Sequence, residues 1–457
     1  MVETETKLKK YSNYKDSGVV SLGDIPNHWQ ILPLFTITEL KSVTNQTEND
    51  LLSIYLDLGV VRFSDVKEKR TNATSKDLSK YQLVEPGDFV LNNQQAWRGS
   101  VGVSKYKGII SPAYIVLSLS EKLNTSFANY FFRDRSMVTQ YLINSKGVGS
   151  IQRNLYYPYL RRANISLPPL QEQTAIAEFL DDKTQKIDKA ISMKKQQIVL
   201  LQERQQILIQ NAVTGKIVWS EKEQKMIPLA QSGVDSKDSG VSWIGEIPEH
   251  WDLKRLKFLG KIFAGINGKS GDDFSKVKKD GFKPFIPFTS IFDNQTIDSN
   301  KHQYANINKN ENQNRIKKGD ILFLMSSETL EDIGKTAIYL GEEQELYLNS
   351  FCKGFRIRSS NVNGEFINHC LQSKSYRHYF SLKGRGFTRI NIKQQFVLDM
   401  LIPIPPLSEQ KEISNYIENT SHKTTTAISY KQQEIEKLKE YKSSLINSCV
   451  TGKIKVR

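Results

Sequence analysis

Hydrophobic positions along this chain fall into two regimes. In two stretches, 168–217 and 405–454, apolar residues recur at spacings of three and four: Ile187, Ile191, Ile198, Leu201 and Leu208 in the first, Ile428, Ile435, Leu438 and Leu445 in the second. That period predicts one face of a long helix, and its narrowness marks the seam of a coiled coil. Elsewhere, over 30–167 and 252–404, apolar residues come in short β-rich runs such as Gly108-Ile109-Ile110, Tyr114-Ile115-Val116-Leu117 and Asp320-Ile321-Leu322-Phe323-Leu324, broken by glycine and polar turns. These runs predict mixed α/β globules, with few helical patterns before each long helix.

Both predicted helices have marked ends. Pro168-Pro169 and Pro405-Pro406 suit a first turn, and Glu172 and Glu409 place negative charge near the positive end of the helix dipole. Thr214-Gly215-Lys216 and Thr451-Gly452-Lys453 place a glycine where a left-handed cap is needed, with a cation beside the last carbonyls. Lys194 and Lys431 interrupt the seam at equivalent positions, where a lysine either snorkels outward or helps fix register.

The two helices are copies. PPLQEQ…TGKI and PPLSEQ…TGKI align without a gap, with roughly 22 identities in about 50 positions, more than shared helical composition produces. A second pair of matches opens each half: Lys15-Asp16-Ser17-Gly18 leads to Ile25-Pro26-Asn27-His28-Trp29, and Lys237-Asp238-Ser239-Gly240 leads to Ile247-Pro248-Glu249-His250-Trp251. His28 and His250 read as packing and hydrogen-bonding residues. Fainter correspondences link Glu85-Pro86-Gly87-Asp88 with Lys317-Lys318-Gly319-Asp320, each a turn into a buried strand.

The chain therefore divides into an opening segment (1–29), a first globule (30–167), a first long helix (168–217), a linker with the second opening segment (218–251), a second globule (252–404) and a second long helix (405–457). Within the linker, 218–236 reads as polar and unpatterned, long enough to let the second half reverse direction. The fold class is α+β: two mixed α/β domains separated by two long helices that pair as an antiparallel coiled coil, related by an internal pseudo-two-fold repeat.

At 457 residues, two large units are expected. A net charge of +15 is the footprint of a protein that holds a polyanion. Cys352, Cys370 and Cys449 have no CxxC spacing, which argues against a disulfide framework or a zinc ribbon and fits a reducing cytoplasm. No apolar run approaches membrane-spanning length, so a cytoplasmic protein is expected.

Catalytic motifs are missing. Gly265-Ile266-Asn267-Gly268-Lys269-Ser270 only partly resembles a phosphate loop, since Phe263 stands where that motif needs glycine. His369, Cys370 and His378 form a loose group that reads as a chance clustering near a helix rather than a metal site. No catalytic residue, metal or cofactor is assigned to this chain.

Candidate DNA-binding residues are more plentiful. Asn92, Asn93, Gln94, Gln95, Trp97 and Arg98 follow a predicted strand, and amides and arginine can pair bidentately with adenine and guanine. Lys383, Arg385, Thr388, Arg389, Asn391 and Lys393 form a glycine-punctuated run with four cations and no acid, and its counterpart in the first half carries Lys146, Gln152, Arg153 and Asn154. Lys269 joins this set as a loop cation. A helix of about 40 residues is roughly 60 Å long, and modules docked on one face of B-DNA favour spacings near multiples of about 35 Å, so the helix pair would act as a ruler between two different readers.

With these residues laid out, the chain resembles the specificity subunit of a type I restriction-modification system. The resemblance runs from about Ser12 to Ile454 and rests on the combination of IPNHW or IPEHW, a variable domain, and PPLxEQ leading into a helix that ends in TGKI, all repeated. It implies that each variable globule is a target recognition domain reading one half of a bipartite, asymmetric site in double-stranded DNA. It implies that the helices set the gap and dock two modification subunits that methylate adenine, with restriction subunits joining to cleave. S-adenosylmethionine, ATP and Mg are then expected in those partners, and this chain is not the catalyst. Two other readings stand against it. A nuclease or methyltransferase acting alone would show activity in the purified single chain, and a coiled-coil scaffold would leave DNA specificity unaffected by exchange of the first globule.

Overall fold

In the computed structural model, which describes residues 9–66, 77–147, 153–297, 302–308 and 310–456, the two repeated stretches are helices of 44 residues each, Leu170–Val213 and Leu407–Val450. Their ends form as the sequence predicts. The Gln173 N–H donates to the Pro169 carbonyl and the Gln410 N–H to the Pro406 carbonyl, both at 2.9 Å. At the far end of the first helix Gly215 turns to φ +71°. The Lys216 N–H then reaches back to the Asn211 carbonyl at 2.8 Å and the Gly215 N–H to Ala212 at 3.4 Å, the paired bonds of a left-handed glycine cap.

The chain forms two compact units, Met1–Lys195 with Gln432–Arg457, and Gln196–Lys431. Each long helix thus gives its first half to one unit and its second half to the other.

In the first unit, four antiparallel strands lie in the order Thr38–Lys41, Tyr114–Leu119, Phe89–Asn92, Val101–Val103. Phe89 and Leu91 on this sheet share a core with Phe127, Phe131 and Phe132, with Ile176 and Leu180 of the first long helix, and with Leu445 and Cys449 of the second. Those three phenylalanines lie on the first of two helices, Thr125–Arg133 and Arg135–Ile143, in a stretch where the sequence predicts few helical patterns. Each has nine residues, too few for a clear period. The Asn124 side chain caps one and Asp134 the other, accepting from Phe127 N–H at 3.0 Å and Ser136 N–H at 2.9 Å. In this unit the helix pair is antiparallel: Asp188 meets Lys442 at 2.6 Å and Lys194 meets Glu434 at 2.7 Å. Lys194 therefore leaves the seam to pair across it. Such half-exposed ion pairs contribute about 1 kcal/mol or less each and mainly fix register.

The second unit repeats the sheet order with Gly260–Ala264, Cys352–Ile357, Ile321–Leu324 and Thr336–Tyr339, and adds Thr296–Ile297 in parallel at the edge. A further four-stranded sheet, Phe274–Ser275, Gln303–Asn306, Phe282–Ile286 and Tyr347–Leu348, pairs its last two strands in parallel, and in the first unit Leu51, at the start of the hairpin Leu52–Tyr55 with Gly59–Arg62, likewise meets Ile109 of Gly108–Ile110 in parallel. The predicted turns correspond closely. Gly87 and Gly319 adopt φ +96° and +87°. Asp88 accepts from Glu85 N–H and from Lys41, both at 2.7 Å, while Asp320 accepts from Lys317 N–H at 2.7 Å and from Arg356 at 2.6 Å. A buried carboxylate thus holds each turn against a cation from the same sheet, which compensates its desolvation.

The repeated motifs interlock in the same way in both units. Glu172 accepts from His28 Nε2 at 2.9 Å and Trp29 Nε1 at 3.2 Å, and Glu409 from His250 and Trp251 at 2.9 and 3.1 Å. The first of these carboxylates also takes the Tyr11 hydroxyl. Buried Gln173 bonds the Asn124 N–H and the Lys122 and Pro168 carbonyls, all at 2.9 Å, and Gln410 makes the equivalent bonds to Asn363, Asn361 and Pro405 at 2.7, 3.0 and 2.8 Å. The EQ pair therefore ties each helix start to its opening segment and to the cap of a domain helix.

The stretch 218–236, polar and unpatterned in sequence, is structured. Residues 218–236 contain a hairpin, Ile217–Ser220 with Lys225–Pro228, followed by the short helix Leu229–Ser232. Val218 and Ile227 are buried there, a signal diluted in the sequence by the charged turn between them. In the seam, Ile187, Ile435 and Leu445 are buried, but Ile191, Ile198, Leu201, Leu208, Ile428 and Leu438 are only half-buried. Ile209 rather than Leu208 is buried, as drift between a strict heptad and 3.6 residues per turn produces.

His369 lies on the helix Gly364–Gln372 with its Nε2 sealed from water and without a hydrogen-bond partner among the described residues. Burial pulls its pKa down to about 4. The unfolded chain, titrating near 6.5, then binds a proton that the folded chain refuses, so stability falls as pH drops from about 6.5 to about 4. Thermal unfolding across that window is expected to lose on the order of 1–3 kcal/mol more for the native chain than for His369→Leu. Parallel pH profiles would contradict this.

Candidate nucleic-acid interface

The strand Phe89–Asn92 ends in the predicted amide-rich loop. Asn92 Oδ1 accepts from the Gln94 N–H at 3.1 Å, and a single turn Ala96–Arg98 closes on Gly99 at φ +96°. This geometry holds Trp97, whose Nε1 donates to the Gln94 carbonyl at 3.0 Å. The second predicted run docks on the same strand end, with the Leu155 N–H donating to the Asn93 carbonyl at 2.9 Å and Asn154–Leu155 pairing with Ser145–Lys146. The two runs, remote in sequence, form one surface.

Cations and aromatic rings alternate across it. The Arg98 and Arg153 guanidinium groups lie 4.6 and 5.9 Å from the Trp97 ring, and the Lys146 ammonium lies 4.7 and 4.9 Å from Tyr156 and Tyr159. Gln94, Arg98, Lys146 and Asn154 are exposed, while Asn92, Asn93, Gln95, Trp97 and Arg153 are half-buried. Gln152 lies outside the described residues. Tyr156 and Tyr159 were missed in the sequence, although the run Tyr156-Tyr157-Pro158-Tyr159 beside basic residues carries the signal.

The second unit repeats the docking with other side chains. The Ile392 N–H donates to the Met325 carbonyl at 3.1 Å, at the end of the equivalent strand, and Ser326–Ser327 pair with Ile390–Asn391. Arg385, Thr388, Arg389, Asn391 and Lys393 are exposed. The Arg385 guanidinium bonds the Leu382 and Gly384 carbonyls at 2.7 Å, Arg389 lies 5.0 Å from the ring of Phe351, and Lys383 lies between Tyr379 and Phe396 at 5.6 and 5.1 Å. The loop after the strand is acidic here, with Glu328, Glu331 and Asp332 where the first unit has amides, tryptophan and arginine. Lys269 is not part of this constellation: its ammonium is buried against Glu311 at 2.7 Å, and that hydrogen bond holds the Glu311 carboxyl down at about 2. Among the described residues, no group of three His, Cys, Asp or Glu is placed to hold a metal ion, and no helix is long and apolar enough to cross a membrane.

Two sheets of one strand order, each presenting a different loop pair from the same strand end, define a duplicated recognition module. The family model described as the type I restriction modification DNA specificity domain matches residues 59–202 and again 248–437, and the chain belongs to that family. It is 24% identical over 445 residues to the type I restriction enzyme MjaVIII specificity subunit of Methanocaldococcus jannaschii, covering 95% of this chain and 94% of that one. It is 25% identical over 431 residues to the EcoKI specificity subunit of Escherichia coli (strain K12), covering 87% and 83%. The crystal structure of the HsdS subunit from Thermoanaerobacter tengcongensis shares the fold with a TM-score of 0.55 at 14% identity, over 94% of this chain and 98% of that one. A chain from a structure of a type I R-M system, described in terms of complex assembly and conformational transition, does so with a TM-score of 0.67 at 14% identity, over 93% and 98%.

Proposed function

We propose that this chain is the DNA-specificity subunit of a type I restriction-modification complex and carries no catalytic site of its own. The domains 30–167 and 252–404 each read one half of a bipartite, asymmetric site, and the helix pair sets the unread gap. The observation that carries this reading is the loop pair docked at the same strand end in both units, Leu155 on Asn93 in one and Ile392 on Met325 in the other, while its side chains differ. One architecture with two chemistries suits two different base sequences.

The long helices also expose apolar side chains, Val199, Leu200 and Ile207 among them, each more than half exposed. A run of this kind on a solvated helix suits a protein interface. Two modification subunits would dock there to methylate adenine with S-adenosylmethionine, and restriction subunits using ATP and Mg would join them in the cytoplasm. This chain's part is binding, orientation and spacing.

The salt dependence of binding tests the reading. Arg389→Gln with Lys393→Gln, in complex with the modification subunits, is expected to lower the slope of log K against log salt by about one per cation removed. An unchanged slope would remove the loop 383–393 from the DNA interface.

A further inference from the structure

Phe387 stands at the tip of the second unit's basic loop with its ring wholly in water, at 107% of the accessibility of an isolated residue. The loop beneath it is not loose. The Arg385 N–H donates to the Asn391 carbonyl at 3.0 Å and the Asn391 N–H returns to Arg385 at 2.8 Å. Ile390–Asn391 are in turn paired with Ser326–Ser327. A clamped stem thus projects residues 386–389, and the one large apolar group it presents is flanked by exposed Arg385, Thr388 and Arg389, with no acid between 383 and 393. A partner for this tip must be anionic on its surface and must offer a flat apolar slot for a phenyl ring. Stacked base pairs between two phosphate backbones meet both demands.

Resting on the function proposed above, we infer that Phe387 inserts at one base step of the half-site read by the second unit, while the adjacent cations hold the flanking phosphates. Insertion unstacks that step and makes its deformability part of the specificity, so a flexible pyrimidine–purine step is the expected position. Because the exposed ring packs against nothing among the described residues, its removal is expected to leave folding and assembly unchanged.

The test uses the complex of this chain with its modification subunits and the DNA target that complex selects, with 2-aminopurine placed in turn at each position of the second unit's half-site. The native complex is expected to brighten the probe at one step. Phe387→Ala should abolish that brightening and weaken binding about tenfold or more while leaving the salt slope unchanged, and Phe387→Trp should restore both. Arg389→Gln should do the reverse, lowering the slope and keeping the brightening. If Phe387→Ala binds and brightens like the native chain while Arg389→Gln is impaired, the insertion is wrong and the DNA reading stands. If both variants behave as native, or if no target is selected, the insertion falls together with that reading. Loss of modification-subunit binding in Phe387→Ala would assign the ring to a protein contact instead.

Discussion

Truncating Trp29 to alanine is expected to destabilise the first unit by about 3–5 kcal/mol, and Trp251→Ala the second by a similar amount. Both rings are fully buried. Each joins three parts of its unit that are remote in sequence. The indole N–H of Trp29 donates to Glu172 at the start of one long helix, and its ring lies against Gly452 at the end of the other, where an added Cβ would come within 3.1 Å of it and within 2.3 Å of Pro26. Gly215, Pro248 and Trp251 repeat the arrangement. Removing the ring therefore opens a cavity at the junction of both helix ends and leaves a partly buried carboxylate with one donor fewer. Thermal unfolding and hydrogen exchange of each variant should show the loss concentrated in the unit that carries the substitution. A loss below about 1 kcal/mol would contradict this account of the junction.

What could be read from sequence followed the range of each signal. The long helices announce themselves because their period, proline starts and glycine stops are all local, and the duplication doubles every sign. The purpose of PPLxEQ was only partly visible. Glu172 was legible as a charge near a helix dipole, but its partner Trp29 lies 143 residues away, and no local pattern encodes that contact. The helices Thr125–Arg133 and Arg135–Ile143 were lost because nine residues give only about two and a half turns. The hairpin after the first helix was lost because two short strands flank a charged turn. For the candidate interface, composition alone points to Asn92–Arg98 and Lys383–Lys393. That the first run meets Arg153, and that Tyr156 and Tyr159 enclose Lys146, depends on strand pairing. Lys269 shows the opposite failure, since a loop cation in sequence proves to be neutralised by Glu311, 42 residues away.

Exchanging residues 30–167 for the equivalent domain of another specificity subunit is expected to change one half of the DNA target completely and leave the other half and the gap unaltered. The largest functional effect should arise here, because each mismatched base pair costs about 1–3 kcal/mol and a replaced half-site presents several at once, so affinity for the original target should fall by orders of magnitude. The expectation rests on the separate cores of the two units. The first globule's sheet closes on Phe127, Phe131 and Phe132, and the second's on Phe366, Tyr376 and Phe380. To keep the junction intact, the graft must retain Asn124 and the Lys122 carbonyl as partners of Gln173. Mapping methylated adenines in DNA modified by native and exchanged complexes reads the outcome directly. Alteration of both halves together would show that the two readers are not independent.

The measurement that tests the central claim most directly is selection of random duplex DNA by this chain assembled with its modification subunits, followed by sequencing of the bound fragments. Two short blocks of different sequence at one fixed separation are the predicted result. A single block, or a well-formed complex that enriches nothing, would contradict it.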